Sequence, residues 1–404
     1  MTYANGKTLL DADSHLMESH DWLESYADEA TRKLLGEMGM ASAGKAAPGH
    51  IAAGQRRMQD AAATAAVEED VMRSAKGWLA LGAMSSAERS RALDLMGMQA
   101  QLVFSTFAAT QFAFSKDPAV AYGGAAAHNR GIVEFCEGDD RLLPVGFVPL
   151  TTFDGAARCL EAALTQGCSA IWVPHVTAEG KSPAHVEMDR FWSILAEAGV
   201  PFLLHIGGGK SNLAAPLHDN GRPMPADFVG GGENVRAKDF PSVHHSAETF
   251  LSVLVLDGVF ERHPDLRCGA IELGATWVPG MMQRLDAAKA SFGRNEPLLS
   301  ELALEPSDYV RRQVRFTPFA FEDVGALIEA TDPSLYLFST DYPHPEGTRD
   351  PLGRFETSLD AHTIGDQGRE AFFHENFTSM FGPSARTWLS ADVAAAGRSA
   401  VDSQ

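Results

Sequence analysis

Eight short apolar runs recur along this 404-residue chain, and amphipathic segments separate most of them. A buried, β-branched run followed by a helical pattern is typical of parallel βα units, because a crossover between parallel strands needs a dozen or more residues. The predicted strands cover residues 8–13, 101–106, 144–150, 169–174, 200–205, 267–272, 311–316 and 334–340. Eight such units predict an α/β fold of the (β/α)8 TIM-barrel type, with a doubly wound open sheet as the alternative.

Two long stretches interrupt this alternation. Residues 20–98 follow the first strand and are rich in Ala, Met and charge, whereas residues 207–243 follow the fifth strand and are rich in Gly and Pro. Insertions after barrel strands lie over the C-terminal face, so we expect a helical cap and a cover loop, with an oligomer interface as the alternative. A single domain is predicted over residues 1–390, followed by a frayed tail at 391–404.

Carboxylates and imidazoles follow four of the predicted strands. The motifs are Asp11-Ala-Asp-Ser-His15, Leu203-Leu-His205, Ile271-Glu-Leu-Gly274 and Ser339-Thr-Asp-Tyr-Pro-His344. In a barrel the C-terminal ends of all strands meet on one face, so these groups are expected to converge. Deprotonated oxygen and neutral nitrogen donors are what a divalent cation needs. The motifs therefore predict a metal enzyme.

Alternation along a strand selects the ligands within these motifs. Asp13 and His15 are two residues apart, so both side chains point to one face of the first strand. Asp11 shares that parity but lies one step deeper, where a hydrogen-bonding role is predicted. His205 precedes Ile-Gly-Gly-Gly, whose glycines permit a tight turn beneath a ligand. Asp341 closes the eighth strand and is expected to bind the metal and to accept a proton.

As a set, these motifs resemble the amidohydrolase-related family that includes aminocarboxymuconate-semialdehyde decarboxylase and the resorcylate-type decarboxylases. The resemblance covers most of the chain, and it extends to Arg141-Leu-Leu-Pro-Val-Gly-Phe-Val-Pro-Leu150, Gly258-Val-Phe-Glu-Arg-His-Pro-Asp-Leu-Arg267, Trp277-Val-Pro279, Arg284-Leu-Asp286 and Glu375-Asn-Phe377. It implies a (β/α)8 barrel that holds a divalent metal, usually zinc or manganese, through the ligands Asp13, His15, His205 and Asp341.

The first motif carries Asp-Ser-His where many relatives carry His-x-His. A carboxylate in place of an imidazole makes the site harder and favours manganese or iron over zinc. Glu272 is a larger departure, because the family's decarboxylases resemble one another in a histidine at the end of the sixth strand. Protonation of a ring carbon needs an acid that recharges near neutral pH, which histidine does without perturbation and glutamate does only when burial raises its pKa. Glu272 instead suits a general base, a hydrogen-bond acceptor behind a ligand, or a metal ligand, including one to a second ion.

Our main hypothesis from the sequence is therefore a metal-dependent hydrolase. A zinc, manganese or iron ion activates a water, Asp341 or Glu272 takes its proton, and the substrate is an amide, lactone, ester or thioester. The alternatives are a non-oxidative decarboxylase of an aromatic or muconate-like acid and a non-catalytic binding barrel. Whether the site holds one ion or two stays open.

Further groups are predicted near the mouth of the barrel. His175 follows the fourth strand and either binds substrate or ligates a second ion, unless it is only hydrogen-bonded in its loop. His245 in the second insertion and His344 after Asp341 are predicted to contact substrate, with helix capping and a structural turn as their alternatives. Lys76, Arg236 and Arg349 are candidates to contact a substrate carboxylate, with solvated surface charge as the alternative, since nothing in the sequence determines their direction.

Composition limits the partners of the chain. A formal net charge of −20 disfavours nucleic acid and anionic membranes. No apolar run approaches the roughly 18–20 residues of a membrane helix, and the N-terminus lacks the features of a secretory or transit peptide. The four scattered cysteines fit a reducing compartment. We expect a cytoplasmic enzyme with a small-molecule substrate, assembled as a homodimer.

Overall fold

Seven parallel strands form one sheet in the computed structural model, which describes residues 2–36, 47–209, 213–223, 235 and 237–382. The strands are β1 (Leu10–Leu16), β2 (Ala100–Ser105), β3 (Leu142–Phe147), β4 (Ala170–Trp172), β5 (Phe202–His205), β6 (Cys268–Ile271) and β7 (Val314–Phe316). Each strand pairs in parallel with the next one along the chain. This order is consistent with a TIM-type barrel. The predicted tail lies outside the described residues, as do Arg236 and parts of both insertions.

The eighth predicted strand is an extended segment and not a regular strand, which corrects the prediction of eight strands. Residues 336–342 make one isolated bridge on each side, from Tyr336 to Phe316 and from Tyr342 to Ser14. The segment therefore connects β7 to β1 and brings the two edges of the curled sheet together.

Local backbone geometry explains these differences from the predicted strands. Asp341 has a left-handed φ of 52°, which interrupts the extended conformation, and Pro343 has no N–H to donate to a neighbouring strand. The predicted strand at 311–316 is also shortened, because helix α14 (Pro306–Gln313) runs directly into β7. Tyr309 and Val310 are buried and mark the inner face of that helix. The prediction of a strand at 311–316 overlooked this helical period.

Helices separate the strands along the chain. In the described residues the α-helices are α1 (Trp22–Tyr26), α2 (Glu29–Arg32), α3 (Ala47–Met58), α4 (Ala61–Glu68), α5 (Ser86–Met96), α6 (Pro118–Cys136), α7 (Phe153–Gln166), α8 (Asp189–Ala198), α9 (Ala215–His218), α10 (His245–Leu256), α11 (Val259–Arg262), α12 (Val278–Phe292), α13 (Pro297–Glu301), α14, α15 (Val324–Ala330), α16 (Pro351–Ala361), α17 (Asp366–Glu370) and α18 (Asn376–Ser379). None of them has both the length and the apolar character needed to cross a bilayer.

Helix α8 shows how the sequence builds one βα unit. Phe191, Trp192 and Leu195 lie at helical spacing and are buried. The helix ends at Gly199, which adopts a left-handed φ of 67° that costs glycine little, and the chain then enters β5. The predicted helix at 188–198 and its glycine stop are both confirmed.

The first insertion, residues 20–98, contains helices α1 to α5 and packs against the ends of two strand segments. The indole N–H of Trp78 donates to the backbone oxygen of Glu18, 3.0 Å away, just beyond β1. The backbone N–H of Gly77 donates to the oxygen of Pro343 at 2.8 Å, just beyond the eighth segment. The insertion therefore touches the edge of the sheet at which the predicted ligands lie.

Candidate metal centre

Acidic and imidazole side chains from four parts of the sheet converge at the C-terminal ends of the strands. One donor atom from each of four buried residues lies within 4.8 Å of all the others in the set Asp13, His15, His205 and Glu272. An overlapping set with the same spacing consists of His15, Glu272, Asp341 and His344. The five residues predicted as ligands thus fall into two overlapping sets that share His15 and Glu272, and His344 joins the second set.

The distances between donor atoms suit a single ion. His205 Nε2 lies 3.4 Å from Asp13 Oδ1 and 3.3 Å from Glu272 Oε2. His15 Nε2 lies 3.2 Å from Asp13 Oδ1 and 3.5 Å from Asp341 Oδ1. Two donors that are each about 2.1 Å from one cation lie about 3.0–3.4 Å apart at octahedral or tetrahedral angles. The described side chains match that spacing.

Hydrogen bonds orient both imidazoles for metal binding. The Nδ1 atom of His15 lies 3.4 Å from the backbone oxygen of Ser105, and that of His205 lies 2.9 Å from the oxygen of Ile206. A carbonyl oxygen can only accept, so Nδ1 carries the proton in each ring and the Nε2 lone pair faces the cluster. Asp13 Oδ1 and His15 Nε2 are buried without a hydrogen-bond partner among the described residues. The donor set therefore fits a divalent cation.

The protonation states also suit metal ligands. Burial lowers the pKa of His15, although its contact with Asp13 opposes this shift. Burial alone would raise the pKa of Asp13, but its interactions with His15 and His205 outweigh that effect and lower the pKa. Neutral imidazoles and an ionised carboxylate are the forms that bind a cation.

Two of the carboxylates are carried by strained backbone. Glu272 and Asp341 have φ values of 53° and 52°, in the left-handed region that residues other than glycine seldom adopt. Such a conformation costs about 1–3 kcal/mol per residue and concentrates at functional sites. The Glu272 N–H donates to Thr317 Oγ1 at 2.8 Å, and the Asp341 N–H donates to the backbone oxygen of Asp13 at 2.9 Å. These bonds hold both carboxylates toward the cluster.

Asp11 takes the hydrogen-bonding position that strand parity predicts. Its carboxylate is fully buried and accepts from the Asp13 N–H at 3.2 Å, from Gln101 Nε2 at 2.8 Å, and from the N–H and hydroxyl of Thr340 at 2.9 and 2.5 Å. Burial raises its pKa to about 7 in spite of these donors. Asp11 therefore ties β1 to β2 and to the eighth segment directly beneath the ligands.

His344 lies beside Asp341. Its Nδ1 lies 2.9 Å from Asp341 Oδ1 and its Nε2 lies 3.0 Å from Thr106 Oγ1. The ring stacks on His15 with the centroids 4.0 Å apart. Burial holds the pKa of His344 well below its usual range, so the imidazole is neutral. Of the roles open from the sequence, the geometry supports orientation of Asp341.

His175 and His245 lie outside both groups of donor atoms. His175 Nε2 is 3.0 Å from the backbone oxygen of His205, and its Nδ1 is 3.0 Å from Ser246 Oγ. His175 thus buttresses the turn behind His205, where a Cβ on Gly208 would lie only 2.8 Å from His175 Nε2. His245 is exposed at the start of α10, and its ring contacts His244 with the centroids 4.6 Å apart.

Sequence reasoning missed two buried charged residues that support the site. Arg89 is fully buried and donates to the backbone oxygens of Gly82, at 2.9 Å, and of His15. Glu18 is also buried and accepts from the backbone N–H groups of Thr106, at 3.0 Å, and Ala108, at 2.9 Å. Charged residues are usually exposed to solvent, so residue type alone gave no reason to expect either of them to be buried. One signal was available for Arg89, because it shares the helical spacing of the buried face of α5.

Aromatic rings border the cluster. The ring of Phe104 lies 4.4 Å from that of His205, and the Trp172 ring lies 5.1 Å from it, both between centroids. On the opposite side a small cavity reaches Asp13 and Glu272 and is lined in part by Phe319. The ligands therefore lie among apolar and aromatic side chains, which strengthens electrostatic interactions at the site.

A parallel α/β sheet with a buried cluster for a divalent metal at the C-terminal ends of its strands defines a class of metal-binding enzymes of the TIM type. Residues 11–382 match the family described as "Amidohydrolase", and the chain belongs to that family. This match confirms the resemblance inferred from the sequence motifs. No curated protein matches the chain significantly.

Solved structures share the fold at low sequence identity. An amidohydrolase from Mycobacterium avium subsp. paratuberculosis K-10 is 18% identical with a TM-score of 0.69, over 93% of this chain and 100% of that one. The 5-carboxyvanillate decarboxylase of Sphingomonas paucimobilis is 14% identical with a TM-score of 0.59, over 93% and 98%. A dihydroxybenzoic acid decarboxylase from Polaromonas sp. JS666, with bound manganese and the inhibitor 2-nitroresorcinol, is 16% identical with a TM-score of 0.59, over 93% and 97%.

Proposed function

We propose that this protein is a metal-dependent, non-oxidative decarboxylase of an aromatic carboxylic acid. The observation that carries the proposal is the gathering of three carboxylates and the imidazoles of His15 and His205 in overlapping sets of donors, within a fold that manganese-containing decarboxylases share. The sequence alone favoured hydrolysis because of Glu272. The structural neighbours support decarboxylation better, since several of them are decarboxylases.

Asp13, His15, His205 and Asp341 would hold the metal, with Glu272 as a fifth donor on the same point. We propose one ion, because the two sets of donors share His15 and Glu272 and because both ring nitrogens of His175 already have partners. When bound, the ion supplies positive charge that stabilises negative charge developing on the substrate oxygens.

The reaction replaces a carboxylate by a proton. The ring carbon gains a proton, its bond to the carboxyl carbon breaks, and the electron pair of that bond returns to the ring as CO2 leaves. We assign the proton transfer to Asp341, because its carboxylate lies at the cluster, with Oδ1 3.5 Å from His15 Nε2 and 2.9 Å from His344 Nδ1. The rings of Phe104 and Trp172 exclude water around His205, and Phe319 lines the cavity that reaches Asp13 and Glu272, where it offers apolar surface to an aromatic substrate.

Hydrolysis of an amide, lactone, ester or thioester is the second candidate, and Glu272 favours it. Its Oε2 lies 3.3 Å from His205 Nε2, among the side chains that would hold the ion. A carboxylate in this place could act as a general base on a water at the site. In that case Glu272 or Asp341 would take a proton from water. A non-catalytic barrel lacks comparable support, because the donor set is complete.

The first prediction tests this function directly. Protein loaded with manganese is incubated with 2,6-dihydroxybenzoate and 5-carboxyvanillate, and with a matched panel of aryl esters, lactones and thioesters. We expect CO2 release from a carboxylic acid and no turnover of the second panel. Asp341→Asn should lower the rate by about 10²–10⁴-fold, because the proton donor is lost, while most of the manganese is retained.

Asp154→Asn is the control, since Asp154 is an exposed residue on α7 and pairs with the surface residues Arg158 and Arg190. Hydrolysis without CO2 release would replace the proposal with the second candidate. Near-normal turnover by Asp341→Asn would refute the role assigned to Asp341.

A further inference from the structure

Lys76 places a buried positive charge beside the candidate metal centre. Its Nζ atom is inaccessible to solvent and has no hydrogen-bond partner among the described residues. The ammonium lies 5.2 Å from the centroid of the Tyr342 ring. A contact of this kind contributes about 0.5–2 kcal/mol and leaves the three N–H donors of a lysine without an acceptor. Buried ammonium groups are ordinarily hydrogen-bonded, and among the described residues no acceptor is bonded to this one.

Two backbone-directed hydrogen bonds from the residues that follow Lys76 hold this part of the chain at the end of the eighth segment. Gly77 is bonded to the backbone oxygen of Pro343 at 2.8 Å, and Trp78 is bonded to that of Glu18 at 3.0 Å. Lys76 therefore lies beside the turn that follows Asp341. Burial lowers its pKa to about 8, and the charge of Asp341, which is close enough to act on it, opposes the shift.

The net charge of the site favours a cation near Asp341 when a carboxylate substrate binds. Three carboxylates, from Asp13, Glu272 and Asp341, and one divalent ion together carry −3 + 2 = −1. A carboxylate approaching such a centre through an apolar surrounding is repelled unless a positive group accompanies it. The guanidinium of Arg89 is already bonded to the oxygens of Gly82 and His15. Lys76 is a nearby cation whose Nζ donors have no partner among the described residues.

We propose that the ammonium of Lys76 binds the carboxylate of the substrate and makes the site select carboxylate anions over their neutral analogues. This inference rests on the proposed function for the location of the substrate, at the metal centre. It names the residue that recognises the anion. Because Lys76 belongs to the first insertion, it also gives that insertion a role in substrate binding.

Titration calorimetry with two ligands of nearly equal shape tests the proposal. Manganese-loaded protein is titrated with 2,6-dihydroxybenzoate and with its neutral amide, 2,6-dihydroxybenzamide. Wild type should bind the anion more tightly. Lys76→Met should weaken binding of the anion by about 10–100-fold, as for the loss of a hydrogen bond to a charged group, and leave binding of the amide unchanged. Lys76→Arg should restore most of the preference, because it keeps the charge.

Lys33→Met is the matched control, since Lys33 belongs to the same insertion but is exposed and pairs with Glu29. Manganese content and thermal stability are measured for every variant, and Lys76→Gln replaces Lys76→Met if the latter does not fold. Binding is measured whether or not CO2 is released, so a protein without decarboxylase activity can still show the anion preference.

Two results would overturn the role of Lys76. One is a wild-type protein that does not bind the anion in preference to the amide. The other is a Lys76→Met variant that keeps the preference, or that loses manganese and both ligands together, since Lys76 would then only neutralise the cluster.

Discussion

His15 and His128 are both fully buried, but their ring nitrogens differ in what they contact. His128 has a partner on each side, Asn129 Oδ1 at 2.9 Å and Ser105 Oγ at 2.8 Å. His15 uses only Nδ1 in this way and directs Nε2 at Asp13 and Asp341. A histidine with two satisfied nitrogens is part of the packing, whereas one with a free lone pair in an acidic cluster is positioned as a ligand.

The packing role of His128 predicts a pH dependence of stability. Burial lowers its pKa to about 4, against about 6.5 in an unfolded chain. Between these values the unfolded chain binds more protons, so the stabilisation is present above pH 6.5 and is lost as the pH falls toward 4. For metal-free protein we expect urea unfolding to show wild type losing about 2 kcal/mol relative to His128→Gln between pH 7 and pH 5.

The exposed His245 provides the control for this measurement, because His245→Gln should leave the pH dependence of wild type unchanged. A wild-type profile parallel to that of His128→Gln would show that His128 does not carry the effect.

At the scale of elements, an ion pair connects two helices of the first insertion. Arg57 on α3 donates to both carboxylate oxygens of Glu88 on α5, at 2.6 and 2.8 Å, and also to the backbone oxygen of Ala80 at 2.8 Å. Glu88 accepts in addition from the Gly82 N–H at 3.1 Å. The same helix α5 carries Arg89 to the back of β1, so this pair supports the segment that contacts the metal ligands.

Removal of Arg57 should therefore destabilise the protein. Arg57→Met is expected to lower the free energy of unfolding by about 2–3 kcal/mol, somewhat less than the 3–5 kcal/mol of fully buried pairs, since Glu88 keeps partial access to water. Urea denaturation measures this change. Arg56→Met, on the exposed side of the same helix, should change the stability by less than about 0.5 kcal/mol. Equal effects of the two variants would contradict the importance of the ion pair.

At the scale of the whole molecule, the metal centre links distant parts of the chain. Its donors come from β1, β5, the end of β6 and the eighth segment, so one site spans residues 13 to 341. The segment that carries Asp341 also brings β7 and β1 together. A bound ion should therefore stabilise the sheet as a unit, because it offsets the mutual repulsion of three buried carboxylates.

Metal removal should lower the global stability. At a free manganese concentration 100 times its Kd, binding to the folded state alone adds about 2.7 kcal/mol. We expect the unfolding temperature to fall when a chelator is added and to recover with manganese, as measured by calorimetry. Asp13→Asn should abolish most of this response, whereas Asp154→Asn should retain it. A wild-type unfolding temperature indifferent to both chelator and manganese would refute the metal centre.

Much of the fold follows from local pattern. Apolar runs and glycine stops located all seven strands and helix α8, because the side-chain period and the conformational freedom of glycine act within a few residues. The eighth strand and the start of the seventh were misassigned, since a left-handed Asp341 and the helix ending at Gln313 depend on contacts that an apolar run does not record.

The sequence by itself determined the family, through its motifs, and the parallel α/β arrangement, and it named five candidate donors, because residue type and strand parity indicate which side chains reach the same end of a sheet. Only the tertiary structure decided that these side chains meet in two overlapping sets and that His344 lies beside Asp341. It also decided that His175 bonds behind His205 and that the ammonium of Lys76 is buried near Asp341. Those properties depend on distances between segments far apart in the chain, which burial and hydrogen bonding set only when the sheet has closed.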